Sequence, residues 1–508
     1  MATPTENLAN SLQLLKTIQD QGVVAITPAQ LSRTHRDRLL KNGFLQEVMK
    51  GWYIAANPGD MPGESTPWYT SFWAFCAGYL EERFGEDWCL SPEQSLALAT
   101  GDWAVPRQLI VRTPKGGNKP LNLPHGTSVF DYRLELPAKA DRQVLNGLRL
   151  FSLPAALIAA TPTQFAAKPI VMRVALATLT DASDVLGGLL AGGHRTIAGR
   201  LAGAFRNIGR SAIAGDIIKT MRAAGYTITE SDPFKDAPQV ALSSRETSPY
   251  VNRMVMLWQK MRADVLKHFP ASPRTKPAKR AYLRALDAVY VTDAYNSLSI
   301  EGYRVNAELI ERVRAGGWNP DRNDADREHR DTLAARGYWQ AFQRVRASVE
   351  QVLEGANAGA VARSDHGDWY RELFGPGITA GLLAPADLAG YRRAPVYIRR
   401  SAHAPPNRDA VRELMPAFFQ LLAEEKEAAV RVVLGHFIFV YIHPYVDGNG
   451  RIGRFLMNLM LCSGGYPWLV VPVDKRDEYM SALESASVDG NIIPFAKFLG
   501  GLLKQAKK

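Results

Sequence analysis

Cysteine is nearly absent from this chain, with three in 508 residues. Cys76, Cys89 and Cys462 are odd in number and far apart, which excludes a disulfide framework and a cysteine-built zinc site. A reducing compartment, the cytoplasm, is therefore expected. Long apolar runs are also missing: the most apolar stretch, Val430 to Ile442, contains Arg431 and His436 and is too short to span a bilayer. It reads as a buried helix, and no membrane contact is expected. Met1 to Ser11 holds no basic segment followed by an apolar run, so no secretory signal is evident. A Gly-x-x-x-x-Gly-Lys-Ser/Thr loop is lacking, which removes support for a Walker-type phosphate site. Acidic side chains are in the minority, 50 against 61 Lys and Arg, giving a net charge of +11. That balance suits an acidic partner such as nucleic acid, although basic surfaces often serve only solvation.

What is present begins with size. A chain of 508 residues exceeds one ordinary core, so two or three domains are expected. With 46% hydrophobic and 22% charged residues, the composition is that of a soluble globular protein.

The most informative stretch is His443-Pro444-Tyr445-Val446-Asp447-Gly448-Asn449-Gly450-Arg451-Ile452-Gly453-Arg454. Gly448 and Gly450 allow backbone conformations in which successive N–H groups converge on an anion. A helix starting near Gly450 would add its free N–H groups and positive end to the same concavity. Arg451 and Arg454, three apart, then share a helical face and can each grip phosphate oxygens. Asp447 offers a hard carboxylate for Mg²⁺, and His443 a proton acceptor near neutrality. The alternative is a helical corner with a capping Asp and surface arginines. A calcium loop fails, because Arg451 falls where an oxygen ligand is needed and Asn458 takes the closing position of Glu.

Taken in order, Leu12, Leu15 and Ile18 have helical spacing, Thr27-Pro28 predicts a second short helix, and Arg33 to Asn42 a basic third. Phe44 to Val48 and Trp52 to Ile54 flank a Lys50-Gly51 turn. Helices followed by a two-stranded wing predict a winged helix-turn-helix over residues 1–60. Arg33, Arg36, Arg38 and Lys41 are then its DNA-facing candidates, against the alternative of a solvated helix face. Over residues 61–240, an α+β region, Trp68, Tyr69, Phe72, Trp73 and Phe75 read as core, and Thr113 to Leu134 as short strands and turns. A basic stretch from Arg195 to Arg222 is a further, weaker DNA candidate. Pro233 to Pro249 reads as a linker.

Residues 245–508 are strongly helical by pattern. Ser297 and Glu301 close one long segment on a shared face, and Gly302 can end that helix. Pro395 to Ile398 alternates like an edge strand, so Val396, Tyr397 and Ile398 could pair with an extended target segment.

His443 to Arg454 resembles the Fic-domain signature, His-x-Phe-x-Asp/Glu-Gly-Asn-Gly-Arg-x-x-Arg, with Tyr445 in place of Phe. Ser297 to Gly302 resembles the inhibitory Ser/Thr-x-x-x-Glu-Gly/Asn motif of one class of that family. Residues 12–55 resemble the N-terminal domain of AbiEi-type antitoxins. The expected fold is therefore mainly α: an all-helical Fic domain over 245–508 with a small β-hairpin flap, preceded by an α+β winged-helix-like region.

The Fic resemblance implies transfer of AMP from ATP to a protein hydroxyl. His443 would be the base, Asp447 the Mg²⁺ ligand, and Gly448, Asn449 and Gly450 the anion hole. Arg451 and Arg454 would bind the outer phosphates, Asn458 approach the base, and Val396 to Ile398 align the target. Glu301 would pair with Arg454 and restrain the reaction. AMP removal by the same groups, and a DNA-binding regulator or toxin–antitoxin fusion, stay open as alternatives. The expected partners are a target protein, DNA through the N-terminal region, and further copies of the chain in a homo-oligomer.

Overall fold

The computed structural model describes residues 3–59, 64–234, 236, 248–273, 277–317 and 330–505. The chain forms two compact units, Met1–Arg253 with Tyr397–Ala404, and Met254–Val396 with Pro405–Lys508. Most of the expected linker lies outside the described residues.

The first unit opens with helix α1, Pro4–Asp20, started by a reciprocal Thr3–Glu6 capping box. Its Leu15 and Ile18 pack with Ile26, Leu31, Leu39, Leu45 and Tyr53 into a small core. The helix expected at Thr27-Pro28 is only a turn. Gln30 Oε1 accepts from both the Thr27 N–H and its hydroxyl, at 2.6 and 3.0 Å, and the side chain closes the segment upon itself. Helix α2, Arg33–Lys41, follows, then the antiparallel strands β1, Leu45–Met49, and β2, Trp52–Ala55. Two of the three expected helices and the two-stranded hairpin are thus formed.

Helix α3, Thr66–Phe84, buries Trp68, Phe72 and Phe75 completely, so these aromatics are core. Beside it lies a four-stranded sheet whose order is Cys89–Leu90, Gln108–Thr113, Ser128–Arg133, Pro120–Asn122; its central pair is parallel. Within the basic stretch, several arginines are structural. Arg200 donates to Ala160 O at 2.6 Å, Arg206 pairs with Glu230 at 2.6 Å, and Arg210 donates to Ala177 O at 3.0 Å.

Residues 397–404 belong to this unit although they lie far along the chain. Val105 N–H donates to Ala402 O at 2.8 Å, Arg400 N–H to Thr66 Oγ1 at 3.0 Å, and Arg400 Nε meets buried Glu64 at 3.2 Å. The hairpin expected at Val396–Ile398 does not form; these residues carry no strand. Pro395 has no N–H to donate, and Arg400 takes the left-handed φ of 59°, which breaks an extended ladder.

The second unit is helical, with no strand among its described residues. Ala428–Ile442 is apolar on all sides and accordingly buried, with Val430, Val433, Leu434, Phe437 and Ile438 fully enclosed. Asn449–Ser463 packs against it, and Lys279–Ile300, Arg330–Leu353 and Ala358–Thr379 complete the surroundings. Among the described residues, no single helix is long and apolar enough to cross a membrane.

Candidate functional site

The site is built where two buried helices meet at a tight turn. Ala428–Ile442 ends because His443 adopts a left-handed conformation, φ 52° and ψ 60°, with its N–H still bonded to Phe439 O. The Tyr445 ring then drops into the core, stacked on Tyr370 at 3.9 Å. This ring is buried. Asn449 locks the turn, its amide accepting from Tyr445 N–H at 2.9 Å and donating to Tyr445 O at 2.8 Å. Gly448 has φ 79°, and a Cβ there would fall 2.7 Å from the Phe374 ring, so two constraints demand glycine.

The helix Asn449–Ser463 starts immediately, leaving its first N–H groups without intrahelical partners. These groups, with the helix's positive end, face a carboxylate. A Cβ on Gly450 would lie 2.3 Å from Glu301 Oε1, so the carboxylate rests directly on the first helical turn. Arg454 donates to Glu301 Oε1 at 2.7 Å, to Ser297 Oγ at 2.9 Å and to Ser297 O at 3.0 Å. The expected one-face placement of Ser297 and Glu301 therefore converges on one guanidinium.

Gly302 ends the helix Lys279–Ile300 as anticipated. Its N–H bonds Ser299 O at 3.0 Å and that of Tyr303 bonds Leu298 O at 3.1 Å, a Schellman cap with Gly302 at φ 86°. Arg476 Nε adds a bond to Ile300 O at 2.9 Å.

Burial works to raise the Glu301 pKa, but the charges of Arg454 and Arg451 outweigh it and hold the carboxyl below its ordinary value. Burial depresses His443 to about 4. Its Nδ1 lies 3.2 Å from Val440 O, so Nδ1–H donates there and Nε2 carries the free lone pair. Neutral imidazole at physiological pH is the form a proton acceptor needs. Nearby, Asp293 is pushed up to about 6 by burial and accepts from Tyr338 OH at 2.7 Å.

Arg451, 1% exposed, lies between two rings, 5.1 Å from the Tyr303 centroid and 5.0 Å from that of Phe374. Its guanidinium reaches Asp447 at 3.3 Å. Asp447 also accepts from Gly448 N–H at 2.6 Å and keeps a side chain 61% exposed. No group of three or more His, Cys, Asp or Glu suited to a metal occurs among the described residues. A lone exposed carboxylate beside an anion-binding helix end fits Mg²⁺, which commonly uses one or two carboxylates plus substrate phosphates and water.

Two expected roles need correction. Asn458 is 1% exposed, and its amide is fully engaged with Leu469, donating to its O at 3.0 Å and accepting from its N–H at 2.7 Å. It braces the 464–469 loop and has no free edge for a nucleotide base. Asn449 likewise has its side chain committed to Tyr445, so only its main-chain N–H faces the anion site. Val396 falls in the second unit, whereas Tyr397 and Ile398 fall in the first.

Of the DNA candidates, Arg38 is internal, donating to Asn7 O at 2.9 Å and Ser11 Oγ at 2.8 Å. Arg36 lies over the Tyr53 ring at 5.5 Å, and exposed Arg33 approaches Asp37 at 3.5 Å. Lys41 is exposed.

Sequence reasoning missed three residues. Arg392, 2% exposed, donates through Nε to His443 O at 2.8 Å and through Nη2 to Ile442 O at 3.4 Å and to Pro406 O. Its own N–H bonds Pro444 O at 2.9 Å, so it binds both sides of the His443 peptide. Burial lowers its pKa to about 10, which leaves it charged. Tyr303 and Phe374 were missed for the same reason: their role lies in a contact between distant segments. For Arg392 the adjacent pair Arg392-Arg393 was a signal in the sequence.

Residues 367–461 match the family model described as the Fic/DOC family. The chain is 30% identical over 226 residues to "Protein adenylyltransferase Fic" of Drosophila grimshawi, which covers 44% of this chain and 43% of that protein. The namesake of Drosophila virilis is 31% identical over the same length, with the same coverage. The chain thus spans less than half the length of these curated relatives. Among solved structures, Fic-1 (aa134 - 508) from C. elegans aligns at 18% identity over 64% of this chain and 89% of that one, with a TM-score of 0.35.

Proposed function

We propose that the second unit is a protein adenylyltransferase, held in check by Glu301, that moves AMP from ATP to a hydroxyl of a target protein. The observation that carries this reading is the Glu301 carboxylate lying on Gly450 at the helix N-terminus and on Arg454. An anion already lies where the helix end and two arginines converge, one turn from a neutral His443. The matching Fic/DOC segment and the adenylyltransferase names of the relatives support the same chemistry.

In this reading, the outer phosphates of ATP displace Glu301 and take the N–H groups of Asn449 and Gly450 with Arg451 and Arg454. Asp447 would hold Mg²⁺, which supplies charge neutralisation on the phosphates when bound. His443 Nε2 accepts the proton of the target hydroxyl as its oxygen bonds to the α-phosphorus. The bond from that phosphorus to the bridging oxygen breaks, and pyrophosphate leaves.

The test is incorporation of α-labelled ATP into the protein and into a cell lysate. Weak labelling by the unaltered chain should rise at least about tenfold in Glu301→Gly and vanish when His443→Ala is added. Absence of label in Glu301→Gly would count against the reading. Release of AMP from a modified protein by the unaltered chain, lost in Glu301→Gly, would assign the reverse reaction instead.

For the first unit, helices α1 and α2 with the β1–β2 hairpin support a reading of DNA contact through Arg33, Arg36 and Lys41. A salt-dependent mobility shift weakened by neutralising Arg33 and Lys41 tests this.

A further inference from the structure

We infer that Tyr303, outside both sequence motifs, is a positioning residue for the nucleotide: it holds the Arg451 guanidinium against Phe374 so that its donors face the phosphate site. The inference rests on the adenylyltransferase reading and adds to it how one arginine is made ready.

The two arginines of the turn are treated in opposite ways. Arg454 has its donors engaged by oxygen acceptors, two on Ser297 and one on Glu301. A phosphate must compete with the Glu301 oxygen for that group. Arg451 is instead held by rings, with Tyr303 on one side and Phe374 on the other. Attraction between a cation and an aromatic face needs no oxygen acceptor, so it fixes the group while leaving its N–H donors for incoming oxygens. Among the described residues, the carboxylate paired with it is Asp447, at 3.3 Å, and its Nε is buried without a hydrogen-bond partner. An unpartnered donor on a guanidinium 1% exposed is costly unless something comes to use it. An added phosphate would supply that acceptor.

Tyr303 is also placed independently of Glu301, although only Gly302 separates them. Its main-chain N–H is tied to Leu298 O by the Schellman cap, and its ring carries a second cation, Arg330, at 4.9 Å. The Glu301 side chain can therefore leave Arg454 while the ring stays against Arg451. This separates the two neighbours in function: Glu301 blocks and Tyr303 prepares.

The experiment compares Glu301→Gly with Glu301→Gly/Tyr303→Ala and Glu301→Gly/Tyr303→Phe, and Tyr303→Ala alone. Labelling is measured against ATP concentration, and a fluorescent ATP analogue is titrated onto each protein. In the Glu301→Gly background, Tyr303→Ala should raise KM for ATP and weaken analogue binding about tenfold, with kcat changed less than about threefold; Tyr303→Phe should restore both. Partial misfolding would lower kcat and leave KM unchanged, which would overturn the inference. So would a rise in labelling by Tyr303→Ala alone, the mark of a second restraint. If Glu301→Gly binds the analogue but transfers nothing, the adenylyltransferase reading fails while the affinities still decide the role of Tyr303. No analogue binding by Glu301→Gly would overturn both.

Discussion

In the proposed reaction His443 must be unprotonated when acceptor and nucleotide meet, and burial makes it so by lowering its pKa to about 4. The neutral form is present above that value and is lost as pH falls through it. In Glu301→Gly, the acid limb of the kcat/KM profile should therefore fall below pH 5 rather than near the usual histidine value of about 6.5. A limb near 6.5 in initial-rate measurements would contradict this placement. Removing Glu301 takes away a charge that favours the imidazolium, so the variant should, if anything, shift the limb lower. Glu301 titrates with the opposite sense: Arg454 and Arg451 hold it ionised below its ordinary value. The restraint proposed for it is then complete above that range and lost only in stronger acid. Labelling by the unaltered chain should stay low from pH 8 to 5, measured at saturating ATP.

At the scale of elements, the candidate site is a helix end, a turn and a helix start, and each junction has its own lock. The left-handed His443 leaves the last carbonyls of Ala428–Ile442 without intrahelical partners, and Arg392 supplies a donor to Ile442 O and another to the C-cap carbonyl, His443 O. It does so as a buried cation with only carbonyl acceptors around it in the described contacts. Arg392→Lys keeps the charge but cannot reach several carbonyls at once. With Glu301→Gly as the reference, it should lower kcat about tenfold and stability by ~2 kcal/mol, read by single-turnover rates and thermal unfolding. Unchanged kcat with lowered stability would leave Arg392 a fold residue only. Asn449 is the lock of the second junction. Asn449→Ala removes both bonds to Tyr445 and should reduce labelling by at least about tenfold, although it contacts no phosphate through its side chain.

At the scale of the molecule, the chain order and the compact units disagree in one place. Tyr397–Ala404 is interposed between segments of the second unit in sequence yet built into the first. Its anchor is the Arg400–Glu64 pair, whose acid is 6% exposed, together with the Ala402–Val105 main-chain bond. Glu64→Gln should speed hydrogen exchange across 397–404 by about tenfold while leaving helix Ala428–Ile442 protected, measured peptide by peptide. Equal protection in both proteins would show that packing of Ala402, rather than the ion pair, holds the segment.

The sequence by itself determined the parts whose physics is local. Gly448 and Gly450 announced a turn and a helix start with Arg451 and Arg454 near its beginning, and the apolar run from Val430 to Ile442 announced a buried helix, which begins two residues earlier at Ala428. Ser297, Glu301 and Gly302 were legible as one helical face and its stop. The partners of these groups were not legible, because 153 residues separate Glu301 from Arg454 and 51 separate Arg392 from His443. Only tertiary packing decided that Asn458 braces a loop, that Arg38 turns inward, and that Pro395 to Ile398 pairs with no strand. In each case alternation or spacing stated which face a residue occupies, while burial and hydrogen-bond satisfaction decided what that face meets.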